Sequence, residues 1–116
     1  FVNKARYPLY QIDLNTQPTM ISMGPLTEHY VANELRIKGY DAYYWESDGK
    51  AEIDFIIQKE TEIVPIEVKS SIRTKSRSLD LYMNKFNPKY GIRISEKNFG
   101  MEDGIKSVPL YAVFCI

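Results

Sequence analysis

Ile53-Asp54-Phe55-Ile56-Ile57, followed by the polar turn Lys59-Glu60-Thr61-Glu62 and by Ile63-Val64-Pro65-Ile66-Glu67-Val68-Lys69, decides how this chain reads. Both flanking runs are rich in Ile, Val and Phe, and the polar insert between them fits a hairpin. Three charged side chains, Asp54, Glu67 and Lys69, interrupt otherwise apolar strand sequence. Burying an ionised group without a partner costs several kcal/mol, so their presence needs a reason. If Gln58 and Ile63 close a four-residue loop, opposed residues have numbers summing to 121, and Asp54 lies across from Glu67. Their Cβ atoms would then be roughly 4.5–5.5 Å apart. Strand side chains alternate, so Glu67 and Lys69 share a face and Val68 points away. A one-residue change of register would separate the two carboxylates.

Carboxylates that close repel unless a cation lies between them or one takes up a proton. With one Cys and one His in the chain, oxygen ligands completed by water suit Mg²⁺ or Mn²⁺ better than zinc. A lysine beside such a pair can orient a water or offset charge building on a phosphoryl oxygen. The competing reading is a solvated hairpin face on which Lys69 simply pairs with Glu67.

Asp54, a hairpin's length, then Glu67-Val68-Lys69 resembles the core motif of the PD-(D/E)XK nuclease superfamily, with Ile53 where that pattern carries proline. A more particular resemblance rests on an ordered set: Glu28 to Leu35, Tyr43-Tyr44-Trp45, Ala51 to Phe55, Pro65 to Ser70 and Val108 to Tyr111. Together these are similar to an uncharacterised domain found C-terminal to an AAA+ ATPase in many bacterial and archaeal proteins. The resemblance implies a restriction-endonuclease-like α/β fold, a mixed sheet flanked by helices around an α-β-β-β-α-β core. It implies a metal-dependent nuclease-like domain, with Asp54 and Glu67 on Mg²⁺ or Mn²⁺, an acid of the preceding helix reaching the metal through water, and Lys69 as the catalytic lysine. Glu28 is the preferred helix acid. Glu34 competes, but six residues on it cannot share the face of Glu28. The implied partners are nucleic acid, DNA first, and an upstream ATPase region of the same chain. Many nucleases of this fold also pair up to cut two strands. The alternative from another class is a non-catalytic nucleic-acid or protein binding module, and a third reading makes the sheet edge or the exposed tail an oligomerisation surface.

The rest of the chain agrees with one domain. At 116 residues and 44% hydrophobic content it can bury a modest core. No apolar run reaches membrane-span length and no signal segment opens the chain, so a cytoplasmic protein is expected. The chain opens on Phe1 rather than Met, which reads as a piece of something longer, with residues 1–23 as an arm or linker and 24–116 as the nuclease-like domain. Cys115 is alone, which excludes an internal disulfide, and reads as a small core residue. Net charge is zero, which argues against binding nucleic acid by bulk attraction. Charge is nevertheless local: Arg73, Lys75 and Arg77, among Ser70, Ser71, Thr74, Ser76 and Ser78, form a basic stretch suited to phosphates.

Residues 5–13 read as a short strand or extended arm. A helix is expected from an N-cap at Thr27 to about Lys38, ended by Gly39, with Glu28 in its first turn and Tyr30, Val31, Leu35 and Ile37 on its apolar stripe. His29 falls on its flank, at the surface or behind the site. Tyr43-Tyr44-Trp45 reads as a core-packing strand that turns at Asp48-Gly49 into the next. Ser76 to Phe86 reads as a second helix ended by Asn87-Pro88, with Leu79, Tyr82, Met83 and Phe86 inward. Tyr90 to Ile94 is a further strand, Lys97 to Lys106 a polar loop, and Val108 to Phe114 a last strand or extended tail.

Overall fold

In the computed structural model, which describes residues 2–4, 23–47, 49–69 and 77–116, one mixed sheet carries helices on both faces. Chain order is β1 (Val2–Lys4), α1 (Met23–Ile37), β2 (Tyr43–Ser47), β3 (Ala51–Lys59), β4 (Glu62–Val68), α2 (Arg77–Phe86), β5 (Gly91–Ser95), β6 (Gly100–Glu102), β7 (Ile105–Pro109) and a 3-10 helix (Leu110–Cys115). The sheet order is β1-β2-β3-β4-β5-β7-β6. Strands β1 to β4 pair antiparallel, whereas β4–β5 and β5–β7 are parallel. The α-β-β-β-α-β order read from the sequence is therefore present in α1 to β5. Residues 5–13 and the basic and hydroxyl positions from Ser70 to Ser76 lie outside the described residues. Among the described residues no helix is long and apolar enough to cross a membrane.

The central hairpin has the expected register. Phe55 pairs Ile66, Ile57 pairs Val64 and Gln58 pairs Ile63, but Lys59 also pairs Glu62, so the loop is Glu60-Thr61 rather than four residues. Removing one residue from each side of a loop leaves register unchanged, which is why the shorter turn, with Glu60 at φ 56, preserves the alignment. Pro65 is tolerated in this interior strand because pairing with β5 begins one residue later, at Ile66↔Ile92.

Helix α1 begins four residues before the expected cap. Pro25 sits in its first turn, where no intrahelical donor is needed, so the Gly24-Pro25 pair lies inside the helix instead of bounding it. Thr27 is consequently a buried helical residue, and Glu28 lies beyond the first turn. The stop is as expected. Gly39 has φ 86, Tyr40 N–H donates to Leu35 O at 3.0 Å, and Gly39 N–H donates to Arg36 O at 2.8 Å. This is a Schellman closure, which only a left-handed residue completes cheaply.

Each face of the sheet has its own core. On one side Val31, Ala32 and Leu35 of α1 meet Phe55, Ile57, Val64, Ile66, Ile92, Ile94 and Val108, with Val113 and Ile116 of the C-terminal segment. On the other, Leu79 and Tyr82 of α2 meet Trp45, Ile53, Ile56 and Ile105. Trp45 meets Tyr82 edge-on at 5.4 Å and Phe86 at 5.8 Å. Tyr30 and Ile37 of the expected α1 stripe are exposed, because the buried side of α1 is narrower than the sequence stripe.

The C-terminal third departs from the reading most. The expected polar loop contains β6 and a tight hairpin through Asp103 (φ 52) and Gly104 (φ 78), the two left-handed positions that a two-residue turn of this kind requires. The expected final strand becomes β7 and then the 3-10 helix, so inward positions recur every three residues at Val113 and Ile116. Cys115 falls off that period and is exposed, not a core residue.

Candidate active site

A bulge in β3 shapes the site. Tyr43 pairs Ile56 and Trp45 pairs Ile53, so two steps on β2 answer three on β3, and the extra residue falls at Asp54-Phe55. Ile53 and Ile56 can then both enter the α2-side core while Phe55 enters the other. Bulges re-aim side chains in this way. Asp54 turns toward β4, where its Oδ2 accepts the Val68 N–H at 3.0 Å. The carboxylate thus meets β4 just beyond the last ladder pair, Phe55↔Ile66.

Glu67 is 3% exposed and stands between two cations. Lys69 Nζ is 3.5 Å from its Oε1, and Arg93 Nε is 3.5 Å from its Oε2. The strands explain both contacts. Lys69 follows two residues on along the same face, and Arg93 is the residue paired with Glu67 across the parallel β4–β5 ladder. The Lys69 N–H donates to Ile94 O at 2.8 Å, which holds the chain in place just beyond β4.

Burial pushes the Asp54 carboxyl from its ordinary 3.8 up to about 7. The Val68 N–H opposes that rise, and the negative charges of Glu28, Glu67 and Glu52 add to it. Such a group is half-protonated near neutrality and would ionise fully if a cation arrived. Of the two helix acids, Glu28 is the one whose charge reaches Asp54.

Lys69 contacts Glu67, and the charges of Glu67 and Glu28 reach Asp54. Arg77 is exposed at the start of α2, and Arg73 and Lys75 lie outside the described residues. His29 is buried rather than at the surface, and its Nε2 has no hydrogen-bond partner. Sequence reasoning missed Arg93. The signal was available: a lone charge between Ile92 and Ile94 in strand sequence is the same anomaly that drew attention to Asp54 and Glu67.

Among the described residues no group of three or more His, Cys, Asp or Glu side chains could hold a metal ion together. Carboxylates such as those of Asp54 and Glu67 are the donor type of a hard divalent cation that keeps most of its water and uses one or two protein carboxylates, as Mg²⁺ does.

A family model described as "Domain of unknown function (DUF4143)" matches residues 23–113, and the chain belongs to that family. No curated protein and no solved structure matches it.

Proposed function

We propose that this member of the DUF4143 family is a metal-dependent nuclease domain that hydrolyses phosphodiester bonds of nucleic acid, DNA first among the candidates. The observation that carries the reading is the bulge-directed Asp54 carboxyl, with its pKa pushed up to about 7, beside a buried Glu67 that Lys69 contacts. When bound, Mg²⁺ or Mn²⁺ would supply Lewis-acid polarisation of a phosphoryl oxygen.

Asp54 and Glu67 would hold the cation, and Glu28 would orient water toward it. Lys69 can swing from Glu67 to the phosphate because its side chain is 35% exposed. There its ammonium aligns the attacking water for in-line displacement and offsets charge on the oxygens of phosphorus as the opposite P–O bond breaks. Arg77, with Arg73 and Lys75, would hold the backbone of the substrate. An upstream AAA+ ATPase region, which the resemblance implies, would deliver or regulate the substrate.

The test is cleavage of linear, supercoiled, branched and single-stranded DNA in Mn²⁺ and Mg²⁺, with Glu67→Gln and Lys69→Ala prepared alongside. Metal-dependent cutting should vanish in both variants, and Lys69→Ala should still bind Mn²⁺. Residual activity in Lys69→Ala would remove the lysine from the mechanism, and equal activity in all preparations would identify a contaminant.

One observation favours a second reading. Glu67 is neutralised from both sides by Lys69 and Arg93, as a purely structural ion pair would be. On that reading the domain is a binding module for the ATPase, and it would retain nucleic acid or protein without cutting in any metal.

A further inference from the structure

We infer that Arg93 is an internal competitor for the cation position, a guanidinium that neutralises Glu67 while the position is empty and withdraws into the adjoining cleft when a divalent cation takes its place. The inference rests on the metal-site reading of Asp54 and Glu67 but not on any cleavage. Three features support it. The contact is loose: Arg93 meets Glu67 through Nε at 3.5 Å, the outer limit of a hydrogen bond, whereas tight guanidinium–carboxylate pairs close to about 2.7–2.9 Å. The pairing is also imposed by the ladder, since Glu67↔Arg93 are register partners, so the two residues stay neighbours even when their charged ends part.

The third feature is a second seat. Arg93 lines a cleft of about 230 Å³ together with Asp80 of α2 and Glu102 and Asp103 of the β6–β7 turn. Lys97 is the other cation on that wall, so acids outnumber bases there and the cleft suits a guanidinium better than a phosphate. This matters because Arg93 is only 14% exposed. Lys69 can retreat into water when a cation arrives, but a mostly buried guanidinium released from Glu67 needs other carboxylates within reach. Asp80, Glu102 and Asp103 line the cleft that Arg93 also lines.

A structural ion pair and a competitor make opposite predictions for metal affinity. If Arg93 only supported Glu67, removing it would disorder the carboxylate and loosen Mn²⁺. If it competes, removing it takes one of the cations away from Glu67, with Lys69 still beside it, and Mn²⁺ binds more tightly. Calorimetry or electron paramagnetic resonance on this chain, with Mn²⁺ as the probe, should show Arg93→Ala binding about tenfold tighter than wild type. Arg93→Gln, which keeps bulk but loses charge, should behave the same and serves if the alanine variant does not fold. Equal or weaker Mn²⁺ binding in a folded charge-removing variant would overturn the inference. A double variant, Asp80→Asn with Asp103→Asn, should weaken Mn²⁺ severalfold by removing the second seat, and unchanged affinity there would overturn the two-position scheme. Because the readout is binding, wild type that takes up Mn²⁺ without cutting DNA would sink the nuclease reading and leave this one standing.

Discussion

Asp54 is the residue on which chemistry and stability conflict. Its carboxyl is held at about 7 against an ordinary 3.8, chiefly by burial and then by Glu28, Glu67 and Glu52. Between those two values the unfolded chain has lost a proton that the folded chain keeps, so stability falls as pH rises through that window and levels off above about 7. Asp54→Asn lacks the titrating group, and its amide oxygen can still accept the Val68 N–H. In a chelator, the variant should therefore match wild type near pH 4 and exceed it by on the order of a few kcal/mol at pH 8. Denaturant titrations at the two values measure this, and a difference that does not change with pH would refute it. Functional carboxylates are commonly held at such a cost. Arg93 teaches the complementary lesson. Its role depends on being opposite Glu67 in a parallel pair separated by a helix, and no local pattern states which strand lies next to β4.

Elements end where backbone conformation requires it, and α1 is the clearest case. Gly39 closes it at φ 86, and a Cβ there would meet nothing within 4 Å, so a substitution would be strained by conformation and not by crowding. Gly39→Ala should cost roughly 1–2 kcal/mol in thermal or denaturant unfolding, the penalty of a left-handed L-residue. A loss well below that range would mean that the Schellman hydrogen bonds contribute little. Gly91 differs, because its added Cβ would come 3.0 Å from Met83 Sδ of α2. Close approach of helix to strand is what it permits. The opposite end of α1 shows a limit of local signals: a plausible Thr cap and a Gly-Pro boundary were both inside the helix, since Pro is as acceptable in a first turn as before one.

At the scale of the molecule, the sheet separates two cores. Leu35 is fully buried on the α1 side and Leu79 on the α2 side. Each should cost about 2–5 kcal/mol when truncated to Ala, a large share of the roughly 5–15 kcal/mol available to a domain. Since the two side chains pack in separate cores on opposite faces of the sheet, the double variant should be additive within about 0.5 kcal/mol. Strong non-additivity in a denaturant-based cycle would mean that the two faces are coupled, for instance through the bulged β3 that serves both. The C-terminal segment belongs to the first core alone. Val113 and Ile116 pack there, and Lys38 Nζ at the end of α1 donates to the carbonyls of Phe114 and Ile116.

Local sequence by itself determined the central hairpin, its register, the second helix with its Asn87-Pro88 stop, and the neighbouring of Glu67 and Lys69 on one strand face. Period-2 apolar alternation and a polar turn leave few registers that bury one face, and a charge within such a strand stands out whatever surrounds it. Tertiary structure alone decided the bulge that turns Asp54 toward Val68, the loose Arg93 contact and the acidic cleft beside it, and the 3-10 winding that exposes Cys115. Each of these depends on which distant segment supplies the neighbour. A strand's own pattern records which side is apolar, but only assembly of the sheet fixes what lies across from it.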